Sequence, residues 1–111
     1  MEQAVLGKII EERKQGKRIG IPSYCTANEA CLRAILRAYR GNDLPIIIEA
    51  TANQVNQDGG YTGMVPQEYA ELIRQLAREE GIKEDRVILG GDHLGPLTWQ
   101  GEAAAVAMEK A

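Results

Sequence analysis

The sequence has too few cysteines for a fold built on disulfides. Its 111 residues contain only Cys25 and Cys31, and one pair cannot supply the several bridges that a small secreted domain uses. The spacing of the two residues matches neither a C-x-x-C redox pair nor a zinc ribbon. We therefore expect both thiols to be reduced and structural.

Long apolar runs and basic clusters are also missing. The first 18 residues carry charges every few positions, which argues against a signal peptide or a membrane anchor there. The 13 lysines and arginines are spread along the chain and the net charge is −3, whereas a nucleic-acid surface needs a basic stripe. We expect a cytoplasmic protein with neither a membrane nor a nucleic acid as partner.

The glycines form no nucleotide-binding motif. The sequence contains neither the G-x-G-x-x-G fingerprint of dinucleotide-binding folds nor the G-x-x-x-x-G-K-[ST] sequence of a P-loop. An ATP-dependent kinase is therefore disfavoured.

Amphipathic segments and short apolar runs alternate along the chain. Helices are predicted from Glu2 to about Gln15, from an Asn28 cap to about Arg40, from Pro66 to Gly81, and from Gly101 onward. Strands are predicted over residues 18–25, 44–51 and 86–90, the second without polar alternation and so covered on both faces. This order predicts one α/β domain in which an N-terminal helix precedes parallel strands joined by right-handed crossovers.

The predicted helices each present one apolar stripe to a core. The expected buried residues are Val5, Leu6, Ile9 and Ile10 in the first helix, Cys31, Leu32, Ile35, Leu36 and Tyr39 in the second, and Tyr69, Leu72, Ile73, Leu76 and Ala77 in the third.

The segment Gly-Gly-Asp-His-Leu-Gly-Pro, which follows the third strand, holds the only histidine of the chain. The neutral imidazole of His93 is a good ligand for zinc or a similar cation, and the carboxylate of Asp92 beside it can move a proton on a metal-bound sugar. The alternative is that His93 is a satisfied loop residue and that Asp92 only caps or turns the chain.

Glu49 ends the apolar second strand. Its carboxylate either binds a cation or a substrate hydroxyl, or pairs with an arginine or lysine of a neighbouring strand. Ligands of α/β folds gather at the carboxyl ends of strands, where Asp92 also lies, and we therefore favour a catalytic role for Glu49.

The loop after Glu49 is rich in amides, hydroxyls and glycines, which suit a polyol and allow closure over a ligand. The substrate-binding candidates are Asn53, Asn56, Gln57, Tyr61 and Thr62, each of which alternatively only shapes an Asx-rich surface loop.

Two further features receive structural interpretations. Ser23, Tyr24 and Cys25 end the first strand, and they are read as rim or packing residues because no histidine follows at a place suited to activate a nucleophile. Trp99 is expected to pack over the loop after the third strand.

The stretches PSYCTAN, IIIEATANQVNQDGGYTGM and ILGGDHLGP together resemble the GatZ/KbaZ family of tagatose-bisphosphate aldolase subunits. Members of this family are several times longer. The resemblance therefore implies that residues 1–111 are the N-terminal part of a single TIM (β/α)8 barrel domain, comprise its first three to four βα units, and end inside the fourth helix.

The resemblance also implies a chemistry related to that of metal-dependent class II aldolases. His93 would be the metal ligand, Asp92 the acid or base, and Glu49 and the loop over residues 53–63 would lie near the substrate. The implied cofactor is a divalent metal, preferably zinc. The implied partners are a sugar phosphate or ketose, a catalytic class II aldolase subunit, and a second copy of the chain in a homo-oligomer.

Three functions remain open at this point. The first is an accessory subunit that supports cleavage of tagatose 1,6-bisphosphate to triose phosphates. The second is a metal-dependent ketohexose (phosphate) 4-epimerase that acts alone. The third is an inert fragment of either protein, because three parallel strands with open edges expose apolar surface.

Overall fold

The computed structural model describes the backbone of residues 2–111 and the side chains of residues 5–111. In chain order its elements are α1 (Glu2–Lys14), β1 (Ser23–Cys25), α2 (Glu29–Ala38), β2 (Ile46–Thr51), α3 (Pro66–Glu79), β3 (Val87–Asp92) and α4 (Ala104–Lys110). Short 3-10 helices, Glu84–Arg86 and Pro96–Trp99, precede β3 and α4. None of the described helices combines the length and the apolar character needed to cross a membrane.

The three strands form one parallel sheet in the order β1-β2-β3. β1 is followed by α2 and β2 by α3, as in βα units, and the predicted α/β class is confirmed. Because parallel strands end at the same edge, the C-terminal residues of all three strands are neighbours. We call this edge the rim; it comprises Cys25, Glu49–Thr51, Asp92 and His93, which directly follows β3.

The core lies between one face of the sheet and helices α2 and α3. Along β2 buried residues alternate with half-buried ones, so only one face is covered by the described residues. The prediction of a strand covered on both faces is therefore wrong for this chain. The largest fully buried side chains are Leu32 and Leu36 of α2, Ile46 and Ile48 of β2, and Ile73 and Leu76 of α3. Each contributes about 1.5–3 kcal/mol of transfer free energy.

The strands begin later than the apolar runs suggest. β1 begins at Ser23 instead of residue 18, and β2 begins at Ile46 instead of residue 44. Pro22 and Pro45 immediately precede these strands, and proline has no N–H to donate to a ladder. β3 extends two residues beyond its predicted end, because Asp92 still pairs with Thr51.

The helix boundaries agree with the sequence prediction better than the strand boundaries do. Asn28 caps α2 as predicted, its Oδ1 accepting a hydrogen bond from the Cys31 N–H at 3.0 Å. α3 begins at Pro66, and Gly81 follows it in the predicted left-handed conformation, with φ 73°. The fourth helix begins at Ala104 and not at Gly101, because a 3-10 helix and a turn come first.

All three expected apolar stripes are less buried than predicted. Cys31 is exposed, since it lies about 100° around the helix from Leu32, whose side chain faces the core. None of the described side chains of α1 is buried, and Ile10 is 55% exposed. In the third helix Leu72 is half-buried, whereas its four companions are buried as predicted.

A buried carboxylate joins α2 to the end of α3. Glu80 is 3% exposed, and its oxygens lie 2.7 Å from Arg37 Nε, 2.6 Å from Arg40 Nη2 and 3.3 Å from Arg33 Nη1. The hydrogen bond from Arg37 lowers the pKa of Glu80 below its ordinary 4.5, against the opposing effect of burial. The two core helices are thus tied together at one end by charge.

This ion cluster predicts a pH-dependent contribution to stability. Because the pKa of Glu80 is lowered by folding, its contribution is complete above the ordinary pKa of 4.5 and is lost as the pH falls through the folded-state pKa. Glu80→Gln should lower the thermal midpoint at neutral pH and flatten its decrease toward about pH 3, as measured by circular dichroism.

Glu71→Gln on the exposed face of α3 is the matched control. It should change neither the midpoint nor its pH dependence. If the thermal midpoint depended on pH in the same way in the wild type and in Glu80→Gln, the proposed contribution of Glu80 to stability would be contradicted.

Candidate functional site

Three ligand-type side chains from three different strands meet at the rim. The Sγ of Cys25 and a carboxylate oxygen each of Glu49 and Asp92 all lie within 4.8 Å of one another. The strand register explains this: Cys25 pairs with Glu49, and Asp92 pairs with Thr51. Glu49 and Thr51 are two residues apart and so share one face of β2. That face is the one not covered by α2 and α3.

The carboxylate of Glu49 is half-buried and forms no ion pair with an arginine or lysine among the described side chains. The alternative of a pairing partner on a neighbouring strand is therefore not realised in this part of the chain. The structure brings Glu49 together with Asp92, the other residue predicted to be catalytic.

The sequence predicts Cys25 to be a rim or packing residue; the structure places it at the rim, where it joins this group. Its thiol lies 3.8 Å from Gln54 Oε1, to which it donates. Burial first, and then the negative charges of Asp92 and Glu49, raise the pKa of Cys25 above its ordinary value of 9.0. One sequence signal points to this role of Cys25. The residue ends the first strand, and the neighbouring strand carries Glu49.

His93 contacts Asp92 twice. Its backbone N–H donates to Asp92 Oδ1 at 2.9 Å, and its Nδ1 lies 3.0 Å from Asp92 Oδ2. A carboxylate acceptor favours the tautomer that carries the proton on Nδ1 and leaves Nε2 with a free lone pair. The imidazole is 78% exposed, and its backbone adopts φ 51°, a left-handed conformation that is uncommon outside glycine. His93 is not part of the three-residue group.

Two of the predicted substrate ligands use their polar groups inside the loop itself. Buried Asn56 donates from Nδ2 to Ala52 O at 2.6 Å, and its Oδ1 accepts from the N–H groups of Asp58 and Gly60. The hydroxyl of Thr62 donates to the Gln54 carbonyl at 2.6 Å. In the structure both residues hold the loop in shape.

The other three loop candidates are exposed and lie apart. Asn53 and His93 line a common open cavity of about 700 Å³ beside Trp99. Tyr61, 74% exposed, borders a separate cavity of about 360 Å³. Gln57 donates to the Lys110 carbonyl at 2.7 Å. Only Asn53 is therefore brought beside the Asp92–His93 pair.

Trp99 connects two rim loops. The indole Nε1–H donates to Asp58 Oδ2 at 3.1 Å, so the residue reaches from the segment after β3 to the loop after β2. This contact is more specific than the packing role expected from the sequence.

Tyr69 of α3 holds the ends of β1 and β2 together beneath the rim. Its buried hydroxyl lies 2.5 Å from the Thr26 carbonyl and 3.0 Å from the Glu49 carbonyl. Burial is the main reason why the pKa of Tyr69 is raised above 10.0. Sequence reasoning assigned this residue to the core only, since the hydrogen bonds depend on where the strands end.

The donor types at the rim fit a divalent cation. Zinc is bound in proteins by thiolate, imidazole nitrogen and carboxylate oxygen, and Cys25, His93 and the carboxylates of Glu49 and Asp92 offer all three types.

Comparison with known proteins adds three findings. Residues 6–111 match the sequence model of the family described as D-tagatose-1,6-bisphosphate aldolase subunit GatZ/KbaZ-like. A protein of Klebsiella pneumoniae named D-tagatose-1,6-bisphosphate aldolase subunit GatZ is 51% identical over 102 residues, which are 92% of this chain and 24% of that protein. A protein of the same name from Salmonella newport is 48% identical over 103 residues, 93% of this chain and 24% of its own length.

A solved structure is also similar. It is described as that of "a probable tagatose 6 phosphate kinase" from Sinorhizobium meliloti 1021, and it superposes with a TM-score of 0.78 at 42% identity. The superposition covers 83% of this chain and 24% of that one. The chain thus spans about a quarter of the length of each of these relatives.

Two glycines of the loop after β2 provide a matched pair for testing its geometry. Gly60 and Gly63 both have positive φ, 58° and 79°. A Cβ at Gly60 would collide with the backbone oxygens of Asn53 and Gln54, whereas a Cβ at Gly63 meets nothing within 4 Å. Gly63→Ala should cost about 1–2 kcal/mol of unfolding free energy, and Gly60→Ala about 2–5 kcal/mol.

The measurement is urea unfolding of both variants of the natural protein, followed by circular dichroism. Equal destabilisation by the two substitutions would show that the loop does not fold back on the backbone of residues 53 and 54.

Proposed function

The chain belongs to the GatZ/KbaZ-like family of D-tagatose-1,6-bisphosphate aldolase subunits, and we propose that it is the N-terminal part of a (β/α)8 barrel acting in tagatose metabolism. The parallel order β1-β2-β3 with intervening helices supports this architecture. So does the uncovered face of β2 with its polar rim residues, since in a closed barrel that face is the interior. Exposed Leu94, Leu97 and Met108 are side chains that further units would cover.

The proposed role is that of an accessory subunit. It supports a separate catalytic class II aldolase subunit in cleaving the ketose bisphosphate to triose phosphates. The observation that carries this proposal is the 51% identity, over 92% of the chain, to a protein named as a subunit of that aldolase. The proposed ligand of the rim is the sugar phosphate itself.

The rim residues have distinct roles in this proposal. A divalent metal of the zinc type supplies polarisation of a sugar oxygen when bound. His93 offers it Nε2, while the contact of Nδ1 with Asp92 keeps the ring in the required tautomer. Glu49 and Asp92 accept hydrogen bonds from the sugar hydroxyls, and Asn53 donates to a hydroxyl from the same cavity as His93.

A metal-dependent ketohexose 4-epimerase that acts alone is the second candidate. It is favoured by the carboxylates of Glu49 and Asp92, whose oxygens lie within 4.8 Å of each other on adjacent strands. Two such groups can take up and return a proton on a sugar, whereas a purely supporting subunit does not require them.

The two roles are separated by assays on the natural protein whose chain contains this sequence. Metal content, aldol cleavage and ketose 4-epimerisation are measured with and without a class II aldolase subunit. Stimulated cleavage that requires both proteins supports the accessory role, and epimerisation by the metal-loaded protein alone supports the second candidate. Absence of both activities would reject both proposals. An assay with ATP and tagatose 6-phosphate tests whether this protein has the kinase activity for which the similar solved structure is named.

The variant Asp92→Asn sharpens this distinction. If the protein is an epimerase, loss of the proton-transfer group should lower kcat by about 100-fold or more. If it is only a supporting subunit, the stimulation of aldol cleavage should persist. Asp43→Asn in the exposed turn before β2 is the control and should change neither activity.

A further inference from the structure

We infer that Cys25, Glu49 and Asp92 form a thiolate-containing cation site that is separate from any metal bound by His93. The inference deepens the proposed function, because it names the side chains that hold a cation at the proposed sugar site. The occupant is a divalent cation of the zinc type, for which a thiolate and two carboxylates are suitable ligands.

The donor set has the composition of an open zinc site. Catalytic zinc sites provide three protein ligands and leave the fourth position to water or substrate. In tetrahedral geometry, ligands about 2.3 Å (sulfur) and 2.0–2.2 Å (oxygen) from zinc are about 3.3–3.7 Å apart. The three ligand atoms here lie within 4.8 Å of one another, so side-chain shifts of up to about 1 Å would bring them to zinc-binding distances. The three side chains come from three strands whose register fixes their positions.

The charge around these atoms also favours a cation. Two carboxylates and a thiol lie close together here. Among the described side chains neither Glu49 nor Asp92 is paired with a lysine or arginine that would balance their charge. The negative potential of the two carboxylates attracts a divalent ion. On binding, the Cys25 S–H bond breaks, sulfur bonds to the metal, and one proton passes to solvent.

His93 is excluded from this cation by geometry. Its Nδ1 faces Asp92 Oδ2 at 3.0 Å, so a metal bound by Nε2 lies on the opposite side of the ring from that carboxylate. Asp92 can serve both partners, because a carboxylate has roughly four lone-pair positions and His93 uses two of them.

The first test is a titration of the metal-free natural protein with Co²⁺, followed by absorption spectroscopy. The wild type should bind cobalt with a sulfur-to-cobalt charge-transfer band in the near ultraviolet. Cys25→Ser should abolish that band, and Glu49→Gln and Asp92→Asn should each weaken binding at least about tenfold. Cys31→Ser, at the other cysteine of this chain, should leave the band unchanged, and so should His93→Ala.

Two results would overturn the inference: a band that persists in Cys25→Ser, or no band in the wild type. Cobalt binding that is lost in His93→Ala and unaffected by Cys25→Ser would also overturn it, while leaving the proposed function of the rim intact. Conversely, a normal cobalt band with neither sugar activity would reject the proposed function alone.

A second measurement needs no variant. Cys25 and Cys31 are both exposed and can be alkylated in the same sample. Zn²⁺ should slow the alkylation of Cys25 by at least about tenfold, as determined by peptide mass spectrometry, and should not affect Cys31. Equal rates at Cys25 with and without Zn²⁺ would refute the site.

Discussion

The parallel register of the three strands is the constraint on which the site depends. Pairing of Cys25 with Glu49 and of Thr51 with Asp92 brings residues that are distant in the chain to one edge and one face of the sheet. A shift of one residue in either pairing would turn the affected side chains toward the helices. The arrangement of the rim side chains is thus a consequence of the backbone pairing of the strands and not of contacts between those side chains.

Two polar contacts hold this register from the helical side. Tyr69 bonds to the backbone of both β1 and β2 at their C-terminal ends, and Glu80 binds three arginines of the α2 region. Both groups are buried and hydrogen-bonded, and breaking such a contact would leave a buried polar group unsatisfied. The core helices therefore position the rim as well as covering the sheet.

The rim combines a preformed part with an exposed part. Cys25, Glu49 and Asp92 lie on strands, whereas His93 is 78% exposed and is hydrogen-bonded to Asp92. Asp92 lies beside Cys25 and Glu49 and also contacts His93. A substitution of either Glu49 or His93 should therefore alter the environment of the Asp92 carboxylate. A ligand bound in the neighbouring cavity would meet the imidazole of His93 and the amide of Asn53 together.

The sequence by itself determined the alternation of elements, the α/β class, the Asn28 cap, the start of α3 at Pro66 and the family, because these depend on local patterns and contiguous motifs. Only the tertiary structure decided that Cys25 joins the two carboxylates, that Asn56 turns inward and that one face of β2 stays uncovered. Those outcomes depend on strand register and loop closure. Both are set by contacts between residues far apart in the chain, which no local periodicity encodes.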